Sequence, residues 1–118
     1  MGCIDSGFRQ DHKKEMMAVQ DSMDVLNGKW KIAIISSLCY YTKRRFSDIL
    51  NDVNGISNKM LSKELKDLEL NKLVKRTLIE TRPVTVEYEL TEHGRSLQVL
   101  IENLTEWGMS HRKHIIEG

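Results

Sequence analysis

The sequence predicts a mainly helical α+β domain in which a helix-turn-helix is followed by a β-hairpin and framed by a helix at each end. Three observations carry this. Two short amphipathic segments, "FSDILNDV" and "SNKMLSKELK", flank the tight turn "NGIS". "LVKRTLIE" and "VTVEYEL" are β-branched and alternating, and "TRP" separates them, the pattern of a hairpin. Outside these, apolar residues recur every three or four positions, as on a helix face. A hairpin that follows a helix-turn-helix is a wing, so the fold class is a winged helix-turn-helix.

Residues 1–16 are polar and lack apolar periodicity, which predicts a mobile N-terminal arm ahead of a domain over 17–118. Met16, Val19, Met23 and Leu26 then repeat at helical spacing. Asn27-Gly28 ends that helix, because both residues tolerate the left-handed region. "KWKIAIISSLCYY" is apolar enough to be a mostly buried helix, and "TKRRF" is a short edge strand. Phe46, Ile49, Leu50 and Val53 form the next stripe, with Ser47 as its expected cap. Asn54-Gly55 breaks that helix, Ile56 plugs the core and Ser57 caps the following one. Thr81-Arg82-Pro83 makes the hairpin tip, with Pro83 outside the ladder because it lacks an N–H. Thr91 is expected to cap a single last helix carrying Leu97, Leu100, Ile101, Leu104 and Trp107. That stripe is too large for a small winged-helix core and calls for a second copy of the chain. Trp30, Phe46, Met60 and Tyr88 read as core residues, not as base-stacking ones.

A chain of 118 residues suggests one domain with one core. Charged residues make up 30% and apolar residues 40%, as in soluble proteins. No apolar run approaches the roughly 20 residues that span a bilayer, and no signal-peptide h-region precedes the domain. Cys3 and Cys39 supply no disulfide framework, which points to a reducing cytoplasm. His111 and His114 lack a third ligand for a metal. No nucleophile–base constellation or glycine-rich phosphate loop is present, so neither enzyme activity nor a cofactor is expected.

The net charge is only +1, but its distribution is uneven. From Lys29 to Arg76 there are 11 Lys/Arg against 5 Asp/Glu, a net of +6, while the rest of the chain carries −5. Such separation suits a polyanion on one face. Nonspecific packaging of DNA would need a larger overall excess.

"SNKMLSKELK" concentrates this basic charge. On a helix, Leu61, Leu65 and Leu68 fall within about 60° of one another, and Lys59, Lys63 and Lys66 fall within about 60° on the opposite side. Glu64, Asp67 and Glu69 lie off the lysine face, and Glu64 is expected to tolerate substitution. A merely solvated face usually mixes both signs. The helix also holds the position of a recognition helix.

"NGKWKIAII", "RRFSDIL", "NGISNKMLSKELKDLELNKLVKRT", "VEYELTEHGRSL" and "EWG" together resemble the HxlR-type winged-helix regulators, relatives of the MarR group, over roughly residues 17–108. The resemblance implies a bacterial, cytoplasmic transcription regulator that binds double-stranded operator DNA. It also implies a homodimer built from the first and last helices. Two positions depart from the family pattern. Met17 stands where many members carry a sensing cysteine ahead of the first helix. Thr85 stands where a basic wing residue often precedes "VEY", which leaves Arg82 as the basic residue of the wing tip. A small-molecule or redox inducer is compatible with the family, and Cys3 is the candidate redox sensor, whereas Cys39 reads as a structural thiol.

The candidate DNA-binding residues are therefore Ser57, Asn58, Lys59, Ser62, Lys63 and Lys66 on the recognition helix and Arg82 on the wing. Lys29, Arg44 and Arg45 are candidate phosphate contacts. Two such helices related by a two-fold axis would read an inverted repeat. The competing reading, a winged helix that binds protein instead of DNA, fits poorly with a retained basic face.

Overall fold

A computed structural model of the chain describes residues 12–117. Its elements run α1 (His12–Val25), α2 (Lys31–Tyr40), β1 (Lys43–Arg45), α3 (Phe46–Asp52), α4 (Asn58–Leu70), β2 (Val74–Ile79), β3 (Thr85–Leu90), α5 (Glu92–Arg95) and α6 (Gln98–Glu117). This is the winged helix-turn-helix that the sequence predicts.

The sheet is antiparallel in the order β1-β3-β2. Tyr88 of β3 pairs with Arg44 on one side and Arg76 on the other, and Glu89 lies between Lys43 and Lys75. Alternation turns Val74, Tyr88 and Leu90 into the core. They meet Ile34, Ile35 and Leu38 of α2, Ile49 of α3, Leu61, Leu65 and Leu68 of α4, and Ile101 of α6. Trp30, Phe46 and Met60 pack partly buried against this core, and Tyr88 lies inside it.

The turn between α3 and α4 is made by local chemistry. Gly55 has φ +87°, a conformation that side chains with a Cβ resist. Ile56 is buried behind it. The Ser57 hydroxyl accepts a hydrogen bond from the Met60 N–H at 3.1 Å, which caps α4.

Three local expectations need correction. Residues 12–16, expected in the arm, already belong to the first described helix; the remainder of the expected arm lies outside the described residues. Apolar periodicity missed residues 12–15 because His12, Lys13, Lys14 and Glu15 are all polar and extend no stripe ahead of Met16. At α3, Arg45 holds the N-cap position and its N–H is accepted by the Asp48 carboxylate at 3.2 Å. Ser47 sits two residues past the cap position, already inside the helix. The last helix is two: the Thr91 hydroxyl caps only the short α5, accepting from the Gly94 N–H at 3.0 Å, and α6 restarts at Gln98. Thr91 is itself tied back to the α4–β2 junction, donating from its hydroxyl to the Lys72 carbonyl at 2.7 Å and from its N–H to that of Leu73 at 3.0 Å.

α6 is 20 residues long, yet Ile101 alone among them is buried. Leu104 is 46% and Trp107 66% exposed. No helix among the described residues is long and apolar enough to cross a membrane.

Candidate nucleic-acid interface

α4 divides its circumference between the core, a buried ion cluster and solvent. Leu61, Leu65 and Leu68 are fully buried or nearly so, whereas Asn58, Lys59, Ser62, Lys63 and Lys66 are exposed. The capping bond at Ser57 fixes where the helix begins and hence where Asn58 and Lys59 stand. Both expected stripes are present, with the lysines facing out.

The acids of α4 do something the sequence did not reveal. Lys31, at the start of α2, is buried, and its ammonium donates to Glu64 Oε1 at 3.0 Å, Asn27 Oδ1 at 3.2 Å and Asp67 Oδ2 at 3.4 Å. These three acceptors match the three donors of the ammonium. Glu64 is buried beside it, 5% exposed. The expectation that Glu64 tolerates substitution is therefore overturned, because its carboxylate neutralises a cation that water cannot reach. The cluster also ties α4 to α2. A lysine in an apolar run, with acids some 33 and 36 positions on, gives no periodic signal, so sequence reading had no means of pairing them.

Arg44 is half-buried and committed internally. Its guanidinium lies 3.9 Å from the Tyr41 ring centre, donates to the Asp48 carbonyl at 3.2 Å, and pairs with the Asp48 and Asp52 carboxylates at 4.0 and 3.9 Å. Lys29 stands over the Trp30 ring at 4.8 Å. Arg45 is exposed at the start of α3, and Arg82 is exposed in the loop between β2 and β3. That loop is closed by the Thr81 hydroxyl, which donates to the Pro83 carbonyl at 2.7 Å.

Ion pairing thus sorts the charges. Lys31 takes up Glu64 and Asp67, and Arg44 takes up Asp48 and Asp52. Among the described residues, Lys59, Lys63, Lys66, Arg76 and Arg82 keep no acidic partner. Much of the positive charge left without an ion pair therefore stands on α4 and the wing. Arg76 was not among the expected contacts. Its signal was present, since alternation puts it on the same face of β2 as Val74.

Cys39 lines a cavity of about 410 Å³ between α2 and α6, together with Ser36, Ile101 and Glu102. Burial raises its thiol pKa, partly offset by the positive charge of Arg95. A thiol kept protonated is a poor nucleophile. Cys39→Ser should leave DNA affinity and its response to diamide unchanged, read by anisotropy of a labelled duplex before and after treatment; a lost response would make Cys39 a sensor. Met17 is exposed on α1, and its thioether cannot form a disulfide. Cys3 lies outside the described residues. The His111 ring stacks on Trp107 at 4.7 Å. Among the described residues, no cluster of three or more His, Cys, Asp or Glu side chains is placed to hold a metal ion.

The model of the HxlR-like helix-turn-helix family matches residues 25–115 of the chain. The chain is 37% identical over 103 residues to the HTH-type transcriptional regulator YtcD of Bacillus subtilis, covering 86% of this chain and 79% of that one. It is 36% identical over 89 residues to the HTH-type transcriptional regulator YodB of the same organism, covering 75% and 79%. The reduced form of the redox regulator HypR superposes with a TM-score of 0.78 at 33% identity, over 86% of this chain and 99% of that one.

Proposed function

The chain belongs to the HxlR-like helix-turn-helix family and is a transcriptional regulator, and on that premise we propose that it binds double-stranded operator DNA as a homodimer. The family and these relatives are regulators, not enzymes. The observation that carries the proposal is the charge sorting around α4: two of its three acids, Glu64 and Asp67, are taken up by Lys31, and Lys59, Lys63 and Lys66 stand exposed without an ion-pair partner among the described residues. In the major groove, Asn58, Lys59, Ser62 and Lys63 reach base edges or the adjoining phosphates, with Ser57 at the helix start. Arg82 on the wing loop enters the neighbouring minor groove. Arg45 and Lys29 flank the helix as phosphate contacts, and Arg44 serves mainly by holding α3. An acid-sorted basic face of this kind disfavours the protein-only alternative.

Lys59→Ala and Lys63→Ala should each weaken DNA binding while the thermal melt stays at the wild-type temperature. A lysine on phosphate loses affinity on every sequence and lowers the salt slope by about one unit. A lysine on a guanine edge loses about 1–3 kcal/mol at one operator position. Leu65→Ala, at a buried site, should instead cost about 2–5 kcal/mol of stability. Lysine variants that bind specific and scrambled duplexes as the wild type does would leave this face merely solvated.

Dimerisation is supported by the two terminal helices. Met16, Val19 and Met23 of α1 and Leu100, Leu104 and Trp107 of α6 are large, apolar and exposed, more than a monomer usually leaves in water. An isologous contact would cover both faces, and the operator would be an inverted repeat with half-sites about one helical turn apart. Light scattering should give twice the chain mass, and Trp107→Glu with Leu104→Glu should shift it toward one. A wild-type monomer that binds operator normally would rule the dimer out. A redox or small-molecule inducer fits the relatives named as redox regulators; the sensor on this chain would be Cys3.

A further inference from the structure

α4 and β2 enclose a cleft of about 280 Å³ lined by Ser62, Lys66, Glu69, Arg76 and Tyr88. Its construction follows from two periodicities. On α4, Ser62, Lys66 and Glu69 fall within about 60° of one another, rotated from Lys59 and Lys63 toward the sheet. On β2, Arg76 shares the face of Val74, beyond the edge of the core, directly across from Tyr88. Tyr88 is buried and floors the cleft, while Arg76 and Lys66 are exposed. Arg44 flanks Tyr88 on its other side in the same row, but its charge is spent on Asp48 and Asp52. Neither Lys66 nor Arg76 has an acidic partner within ion-pair distance. With the Glu69 carboxylate at the rim, the formal charge of the cleft is +1, which matches the single negative charge of a phosphodiester.

We propose that this cleft seats one backbone phosphate of bound DNA, with Arg76 and Lys66 supplying the countercharge and Ser62 a hydroxyl donor. The proposal rests on the DNA-binding reading above and adds Arg76 to it. It also divides the lysines. Lys66 holds phosphate beside the wing, and Lys59 and Lys63 are left to face the groove. A phosphate clamped between helix and wing fixes how deeply α4 enters, so Arg76 contributes register and affinity and no base preference.

The test uses the full chain and two labelled duplexes, one mixed-sequence and one selected by the wild-type protein, with anisotropy titrations over a range of KCl. Arg76→Ala should weaken binding to both duplexes by about tenfold per protomer near 0.1 M salt and lower the salt slope by about one unit per protomer. Arg76→Lys should retain the slope, since a point charge still neutralises the phosphate. A thermal melt accompanies each variant, and Arg76→Gln replaces alanine if alanine unfolds the chain. Variants at Arg76 that keep the wild-type slope, while Lys59→Ala lowers it, would empty the cleft of phosphate and leave the DNA reading standing. A wild-type protein with no salt-dependent DNA binding would remove both. Exchanging chloride for inorganic phosphate at equal ionic strength should not release the duplex. Release that Arg76→Ala abolishes would reassign the cleft to a free anion.

Discussion

Glu64→Ala should cost about 3 kcal/mol or more of folding stability, although the residue lies on α4 beside the exposed lysines and looks in the sequence like a solvent-facing acid. Removing one partner of a buried ion pair strands the other, at about 3–5 kcal/mol. Here the stranded group is the ammonium of Lys31, a residue 4% exposed. Asp67, at 3.4 Å and partly exposed, stays as a residual partner and holds the loss toward the lower end. Urea unfolding should show a lower midpoint with little change in slope. Glu69→Ala, one turn away and exposed, should stay within about 0.5 kcal/mol. Lys31→Met with Glu64→Leu should recover most of the loss, because two apolar groups need no countercharge. A Glu64→Ala protein that unfolds like the wild type would mean that Asp67 and Asn27 suffice for Lys31.

Gly94→Ala should be comparably damaging, for a steric reason. A Cβ on Gly94 would stand 2.1 Å from the Leu73 carbonyl oxygen and 3.1 Å from its carbon. These are backbone atoms, and they cannot rotate away as a side chain tip can. The same carbonyl accepts the Thr91 N–H at 3.0 Å, so relief of the clash would open the joint between α4, β2 and α5. Overpacking of this kind typically costs about 1–3 kcal/mol and more where nothing yields; a loss of about 3 kcal/mol is expected. Gly108→Ala is the matching control. It lies within α6 with nothing inside 4 Å of an added Cβ, and should stabilise by about 0.5–1 kcal/mol through helix propensity alone. Paired calorimetric melts would check both signs. Equal melting temperatures for the two variants would mean that the α5 contact is easily displaced.

The sequence by itself determined the winged helix-turn-helix, the turn at Gly55, the Ser57 cap, the hairpin tip and the facing of Leu61, Leu65 and Leu68 against Lys59, Lys63 and Lys66. Each is local, written in the spacing of apolar residues or in the chemistry of a turn. The start of α1 and the break between α5 and α6 were missed for the same reason. The first turn of α1 is polar and extends no apolar stripe, and α5 is anchored by contacts of Thr91 with Lys72 and Leu73, some 20 positions earlier. Only the tertiary structure decided which charges are free. Lys31, Glu64 and Asp67 look like surface residues until α2 and α4 are laid together, and Arg76 becomes a neighbour of Lys66 only when β2 folds back beside α4. Charge pairing is a property of distance through space, and no periodicity along the chain encodes it.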